Sequence, residues 1–309
     1  MPNRKWVKSI RSWLNRMQEL PDLPDLPGNP PFWAPASRFE GLLYGLRDFI
    51  NTPKLERAIT KWGLNDYDVY HFEQGIDPFR DGRWIRTLSG KGKGIVSFYH
   101  GTDLRNRGVI NAAYEVSALN MTSEIDLLHR MPGMKYLYLP IDTDKLKPAP
   151  HLQNGTIRIC HAARNRRLKG SDTIERVVLG LKSKYPIEWV MIENLPHARA
   201  LEIKAGCDIC IDQITDLGGW GYGASSVEAL ALGLPTLTLI NPKVEAFLGD
   251  HPFVSVTTET LECELVSLIE DEALRHDLSQ RGRDWVIQRH GLNAVMEQLY
   301  GYYSEAGLI

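Results

Sequence analysis

Residues 219–237, GWGYGASSVEALALGLPTL, constrain this chain more than any other stretch. Three glycines precede a run of small and apolar residues, so the pattern predicts a glycine-rich loop opening into a helix. Gly221 and Gly223 lack a Cβ and let backbone N–H groups come close to a ligand. The helix that follows turns its positive end toward the same spot, which suits a phosphate-bearing ligand. Glu228 lies a turn and a half into the apolar run, placed to accept hydrogen bonds from hydroxyl groups. Gly233 and Pro235 then end the helix, and TLTLI predicts a β-branched strand. Loop, helix, turn and strand make half of an α/β nucleotide-binding unit.

A second segment, residues 157–181 (IRICHAARNRRLKGSDTIERVVLGL), points to the same ligand chemistry. An alternating strand ends near His161, and a basic loop follows with Arg164, Arg166, Arg167 and Lys169. Gly170 and a helix N-cap at Ser171 or Asp172 come next. Ile174, Val177, Val178 and Leu181 recur at helical spacing. Cations crowded before a helix N-terminus form a site for a diphosphate. Asp212 and Gln213 end a predicted strand at 208–212 and lead directly into the glycine loop, where they line the same pocket.

Together the two segments resemble the signatures of the group 1 glycosyltransferases (glycosyltransferase family 4, GT-B fold). Tyr222 between its glycines, Glu228, Gly233 and Pro235 match one motif, and Arg164 with Lys169-Gly170 matches the other. Trp220 departs from the pattern, standing where the family has a first glutamate. The resemblance implies an α/β chain of two Rossmann-like domains facing across a cleft, preceded here by an N-terminal amphipathic helix. It implies transfer of a sugar from a nucleotide-diphosphate sugar to an acceptor hydroxyl, with retention of anomeric configuration and with neither a metal nor a cofactor. Arg164 and Lys169 would hold the diphosphate and Glu228 the ribose hydroxyls, while Trp220 would stack on a sugar face.

In the N-terminal half, His100, Asp103 and Arg105 fall just past the end of a predicted parallel strand, the edge where open α/β sheets gather ligands. The family carries a histidine at such a strand end. His100 and Asp103 are therefore candidate catalytic residues, and Arg105 and His71 are candidates on the acceptor side. The short N-terminal half and Trp220 leave a second reading open, a catalytically inactive nucleotide-sugar-binding or membrane scaffold protein.

With 309 residues, 43% of them hydrophobic, the chain can form two domains. A net charge of −2 gives no case for nucleic acid as a partner. The boundaries expected are an amphipathic helix at 1–20, a proline-rich tether at 21–36, an N-terminal domain at 37–145, a nucleotide-sugar domain at 150–288, and a helix at 289–309 that returns to the first domain. Helices are expected at 37–50, 53–62 and about 109–117, with strands at 66–73, 93–101, LNMTSE and KYLYLPIDTD. Strands near 157–161, 188–193, 208–212 and 236–240 follow, then helices at 258–270, 271–283 and 292–305. Asp142 and Asp144 form an Asp-x-Asp inside a proline-bounded linker, and no metal site is expected there.

Residues 3–20 place Trp6, Val7, Ile10, Trp13, Leu14 and Met17 on one helical face and Arg4, Lys5, Lys8, Arg11 and Arg16 on the other. That pattern suits either an anionic membrane surface or an apolar groove of the same protein. A saccharide or lipid-linked acceptor would fit the first. Cys160, Cys207, Cys210 and Cys263 read as buried thiols, the Cys207-x-x-Cys210 pair pointing to opposite faces of a strand. No run is apolar enough to span a bilayer, so the chain is expected in the cytoplasm or on the cytosolic face of a membrane.

Overall fold

The computed structural model describes residues 30–35, 37–79, 81–101, 103–149 and 155–309. The amphipathic helix expected at 3–20 and most of the tether lie outside them. The chain divides into two compact units. One runs to Leu137 and takes in Tyr300–Ile309, and the other is Tyr138–Leu299.

The first unit opens with α1 (Arg38–Lys61), whose N-cap Ser37 accepts from Glu40 N at 3.2 Å. Two helices were expected here, but one continues through Pro53. The proline costs the ladder one hydrogen bond, and the Thr52 hydroxyl adds one beside it by donating to Asp48 O at 2.8 Å. There follow β1 (Val69–Glu73), α2 (Arg83–Gly90), β2 (Gly94–Tyr99), a π-helical turn at Asp103–Arg107, α3 (Asn111–Tyr114), β3 (Leu119–Thr122), a 3-10 turn at Ile125–His129 and β4 (Lys135–Tyr136). The four strands form one parallel sheet in the order β1-β2-β3-β4. The helix expected at 109–117 shrinks to α3, and only Lys135–Tyr136 of KYLYLPIDTD pairs. Ile85 and Leu88 of α2 pack on Tyr70, Phe72 and Ile95 of the sheet.

The second unit contains β5 (Ile157–Ala162), α4 (Arg166–Lys169), α5 (Ser171–Leu181), β6 (Ile187–Ile192), α6 (His197–Ala205), β7 (Ile209–Ile211), α7 (Ala224–Ala231), β8 (Thr236–Thr238), α8 (Pro242–Leu248), β9 (Val254–Ser255), α9 (Leu261–Glu270) and α10 (Glu272–His290). Its parallel sheet has the order β6-β5-β7-β8-β9. Such strands are covered on both faces, which explains why IRIC, ICI and TLT read as apolar or β-branched runs. One face packs Ile159, Ile209 and Leu237 against α5 and α9 through Ile174, Val178, Leu261 and Leu265. The last helix, α11 (Leu292–Glu305), begins in the second unit and ends in the first. There Tyr302 Oη donates to Tyr136 O at 2.8 Å, and Lys135 pairs with Glu305 at 2.9 Å.

Two cysteine expectations fail. The strand begins at Ile209, so Cys207 sits in the preceding turn, and Cys207 and Cys210 join Cys160 in one buried cluster. Cys263 is exposed on α9, its thiol donating to Thr260 O at 3.0 Å. Asp142 bonds Lys145 at 2.8 Å, and among the described residues no cluster of His, Cys, Asp and Glu could hold a metal ion.

Candidate nucleotide-binding site

The carboxyl edge of the second sheet carries the basic segment, though as a helix rather than a loop. Asn165 caps α4 by accepting from Arg167 N (3.1 Å) and Leu168 N (3.4 Å). Gly170, with φ 73°, ends α4 and starts α5. A Cβ there would stand 2.5 Å from Ile214 Cγ1, so the junction needs glycine twice over. Ser171 is the first residue of α5 and not its cap. Its hydroxyl lies 2.7 Å from Nε2 of the fully buried His161, whose Nδ1 lies 2.8 Å from Ile211 O. Burial pushes the His161 pKa down to about 4, so the ring is neutral: Nδ1–H donates to Ile211 and Nε2 accepts from Ser171. This histidine ties β5, β7 and α5 beneath the edge.

The four cations divide into two classes. Arg166 is held by Asp172 at 2.7 Å, Glu175 at 2.6 Å and Glu193 at 3.5 Å. Lys169 donates to Asp212, which is 1% exposed and accepts from Ser226 Oγ at 2.5 Å through its other oxygen. Arg164 and Arg167 are exposed, and their side chains have no hydrogen bond or ion pair among the described residues. The expectation that all four face a diphosphate is thus corrected: Arg164 and Arg167 are available, and Lys169 keeps only the donors that Asp212 does not take.

The glycine loop is built largely for the protein's own packing. Gly221 has φ 76°, and a Cβ on it would come 2.8 Å from Val244 Cγ1 of α8. Tyr222, expected to face the donor, lies among Phe253 (4.8 Å between centroids), Trp285 (5.6 Å) and His290, with its hydroxyl 3.2 Å from His290 Nε2. It is a packing residue. Gln213 is buried and donates to Gly219 O at 3.0 Å, pinning the loop. Trp220 carries Lys243 Nζ 4.7 Å above its ring. Gly223 meets open space, a Cβ on it having nothing within 4 Å, directly before the N-terminus of α7.

Glu228 is held at both oxygens. His197 Nε2 donates to Oε1 and Lys204 Nζ to Oε2, each at 2.7 Å. Lys204 is 2% exposed and also donates to Ser225 O at 3.1 Å, so it fixes the carboxylate from below. Each carboxylate oxygen has a second lone pair, which leaves room for a hydroxyl donor. Neither His197 nor Lys204 was singled out from sequence. The signal lay in their spacing: on the helix before β7, they stand seven residues apart, hence on one face.

In the first unit His100 Nε2 donates to Glu73 Oε2 at 2.7 Å, both side chains being exposed. Asp103 is buried and caps the π-helical turn, accepting from His100 N (2.9 Å) and Leu104 N (2.8 Å). Burial pushes its carboxyl up against the pull of those amides. Arg105 is buried, bidentate on Asp126 (2.6 Å) and bonded to Glu124 (2.8 Å). These two expected site residues are therefore committed to the fold of the turn. His71 contacts the Tyr303 hydroxyl. Glu73, which the sequence reading passed over, is the group that orients His100.

No family model matches the sequence, and no curated protein is found similar to it. Solved structures are similar. HepE from Anabaena in complex with UDP and glucose has a TM-score of 0.55 at 14% identity, over 80% of each chain. A glycosyltransferase from Rickettsia africae has a TM-score of 0.57 at 13% identity, covering 88% of this chain and 83% of that one. Sucrose-phosphate synthase from Thermosynechococcus elongatus has 0.56 at 13%, covering 81% and 76%. The likeness establishes a GT-B-like fold, the architecture that the two sequence motifs implied.

Proposed function

We propose that the chain is a glycosyltransferase that moves a sugar from a nucleotide-diphosphate sugar to an acceptor hydroxyl. One observation carries the reading: Arg164 and Arg167, whose side chains have no partner among the described residues, stand at the carboxyl edge of β5 in a fold shared with HepE, a protein solved with UDP and with UDP-glucose. The barrier to transfer lies in breaking the anomeric C–O bond while negative charge builds on the leaving diphosphate. Arg164, Arg167, the free donors of Lys169 and the amides at Gly223–Ser225 would stabilise that charge. Glu228, steadied by Lys204, would accept from the ribose hydroxyls. Retention of anomeric configuration and independence from metal are part of the proposal, as is a catalytic role for His100 oriented by Glu73. A saccharide or lipid-linked acceptor, and an anionic membrane contact through residues 3–20, complete it.

A second reading, a nucleotide-sugar-binding protein without transfer activity, is favoured by Trp220. Its indole cannot accept hydrogen bonds from a sugar, and one side of its ring is taken by Lys243. Incubation with labelled nucleotide sugars separates the two. Release of nucleoside diphosphate with sugar transferred to an added saccharide or lipid supports the first. Binding without release supports the second, and no binding overturns both.

A further inference from the structure

Over its first three turns, helix α1 turns its apolar residues away from the other described residues. Phe39, Leu42, Leu43, Leu46, Phe49 and Ile50 are between 50% (Leu43) and 79% (Phe49) exposed. Their spacing of three and four residues aligns them in one stripe. The other side, at Glu40, Gly41, Tyr44, Asp48 and Thr52, is the half-buried one. Scattered exposed apolar residues need no partner, but six in a row along three turns do.

Charge selects the occupant. At 3.6 residues per turn, Arg38 and Lys54 fall at the two edges of the stripe, Arg57 and Lys61 continue it toward the C-terminus, and Arg47, beside Lys54, is paired with Asp48 at 2.5 Å. Asp48 falls on the opposite side, Glu40 stands beside Arg47 and Glu56 in line with Arg38, so α1 carries five cations to three acids. Residues 3–20, with five cations to one acid, and a second copy of α1 would each bring net like charge beside these cations. An anionic lipid surface takes both the apolar stripe and the flanking cations, whose long stems reach the headgroups. No described helix is long and apolar enough to cross a membrane, so the contact is interfacial.

We propose that α1 is an interfacial docking helix that lays Phe39–Ile50 into the headgroup boundary of an anionic bilayer. The inference rests on α1 alone and is independent of the donor site. Flotation of the full chain with phosphatidylcholine vesicles, with and without phosphatidylglycerol, tests it against Leu46→Glu/Phe49→Glu. Both side chains are exposed, and a thermal melt checks that the variant folds. The wild type should float with the anionic vesicles, and the variant should partition at least about tenfold less. Equal flotation of the two proteins overturns the proposal, as does absence of wild-type flotation. Stronger flotation of the variant would mean that the stripe had covered residues 3–20, and a lost self-association with unchanged flotation would mean a second copy; either result also overturns it.

Discussion

Replacing Lys169 by methionine should expose how the basic segment is balanced. Asp212 is 1% exposed, and the Lys169 side chain retains 21% of its surface in water. Without the ammonium, Asp212 keeps the Ser226 hydroxyl at 2.5 Å as its direct partner. Breaking a buried pair costs about 3–5 kcal/mol, and the partial exposure of Lys169 places this case at the lower end, about 3 kcal/mol. For a unit of this size that is a fall in Tm of roughly 6–12 °C. The pH dependence gives the sharper test. In the wild type, burial pushes the Asp212 carboxyl up, but Lys169 and Ser226 outweigh it and hold the group below its ordinary value. Asp212 then contributes stability above its unfolded pKa, lost only as pH falls through the lower folded value. In Lys169→Met burial wins, the folded state binds the proton more tightly than the unfolded chain, and stability rises as pH falls from neutral. Urea unfolding of both proteins at pH 7.5 and 5 should show a gap that narrows at the lower pH, and Asp212→Asn in the variant should recover most of it. A gap below about 1 kcal/mol, or one of equal size at both pH values, would refute the reasoning.

Further outcomes follow from the same contacts. His161 and His290 each have a pKa lowered by burial to about 4, so the unfolded state binds more protons between pH 6.5 and 4. Stability should fall by about 3 kcal/mol per histidine over that window, measured by urea titration; a flat profile would contradict it. Lys204→Met should cost about 3–5 kcal/mol by leaving Glu228 and the Ser225 carbonyl without their buried donor, a loss read as a fall in urea midpoint. Gly170→Ala should lose about 1–3 kcal/mol in thermal melts, because it combines a φ of 73° with a contact 2.5 Å from Ile214. An unchanged melt would show that the α4–α5 junction relaxes.

The second sheet was legible because parallel strands buried on both faces leave continuous apolar runs, and β5 through β8 lie close to where those runs fall. The two-residue β9 leaves no such run. Helix α6 was missed because Pro196 stands at its N-cap without a side-chain cap bond, and α8 because it has only seven residues. In the basic segment the residue types were readable but their division was not. Arg166 could have been assigned to its acids, since Asp172 and Glu175 follow within the next helix. The partner of Lys169 lies 43 residues away, beyond any local pattern. Tyr222 was misread for the same reason, since Phe253, Trp285 and His290 reach it from distant segments. Helix α1 inverted the usual rule that the apolar face turns inward, and sequence periodicity alone cannot say which side faces solvent.

Calorimetric titration of nucleoside diphosphates and their sugars into the wild type and Arg164→Ala/Arg167→Ala tests the central claim most directly. Both arginines are exposed and unpartnered among the described residues, so the variant should keep its fold. Two lost charge-assisted contacts at about 1.5–3 kcal/mol each should weaken binding by a hundredfold or more. Selective binding by the wild type that collapses in the variant is the predicted result. Equal affinity in the two proteins, or no binding of any nucleotide by the wild type, would contradict the account.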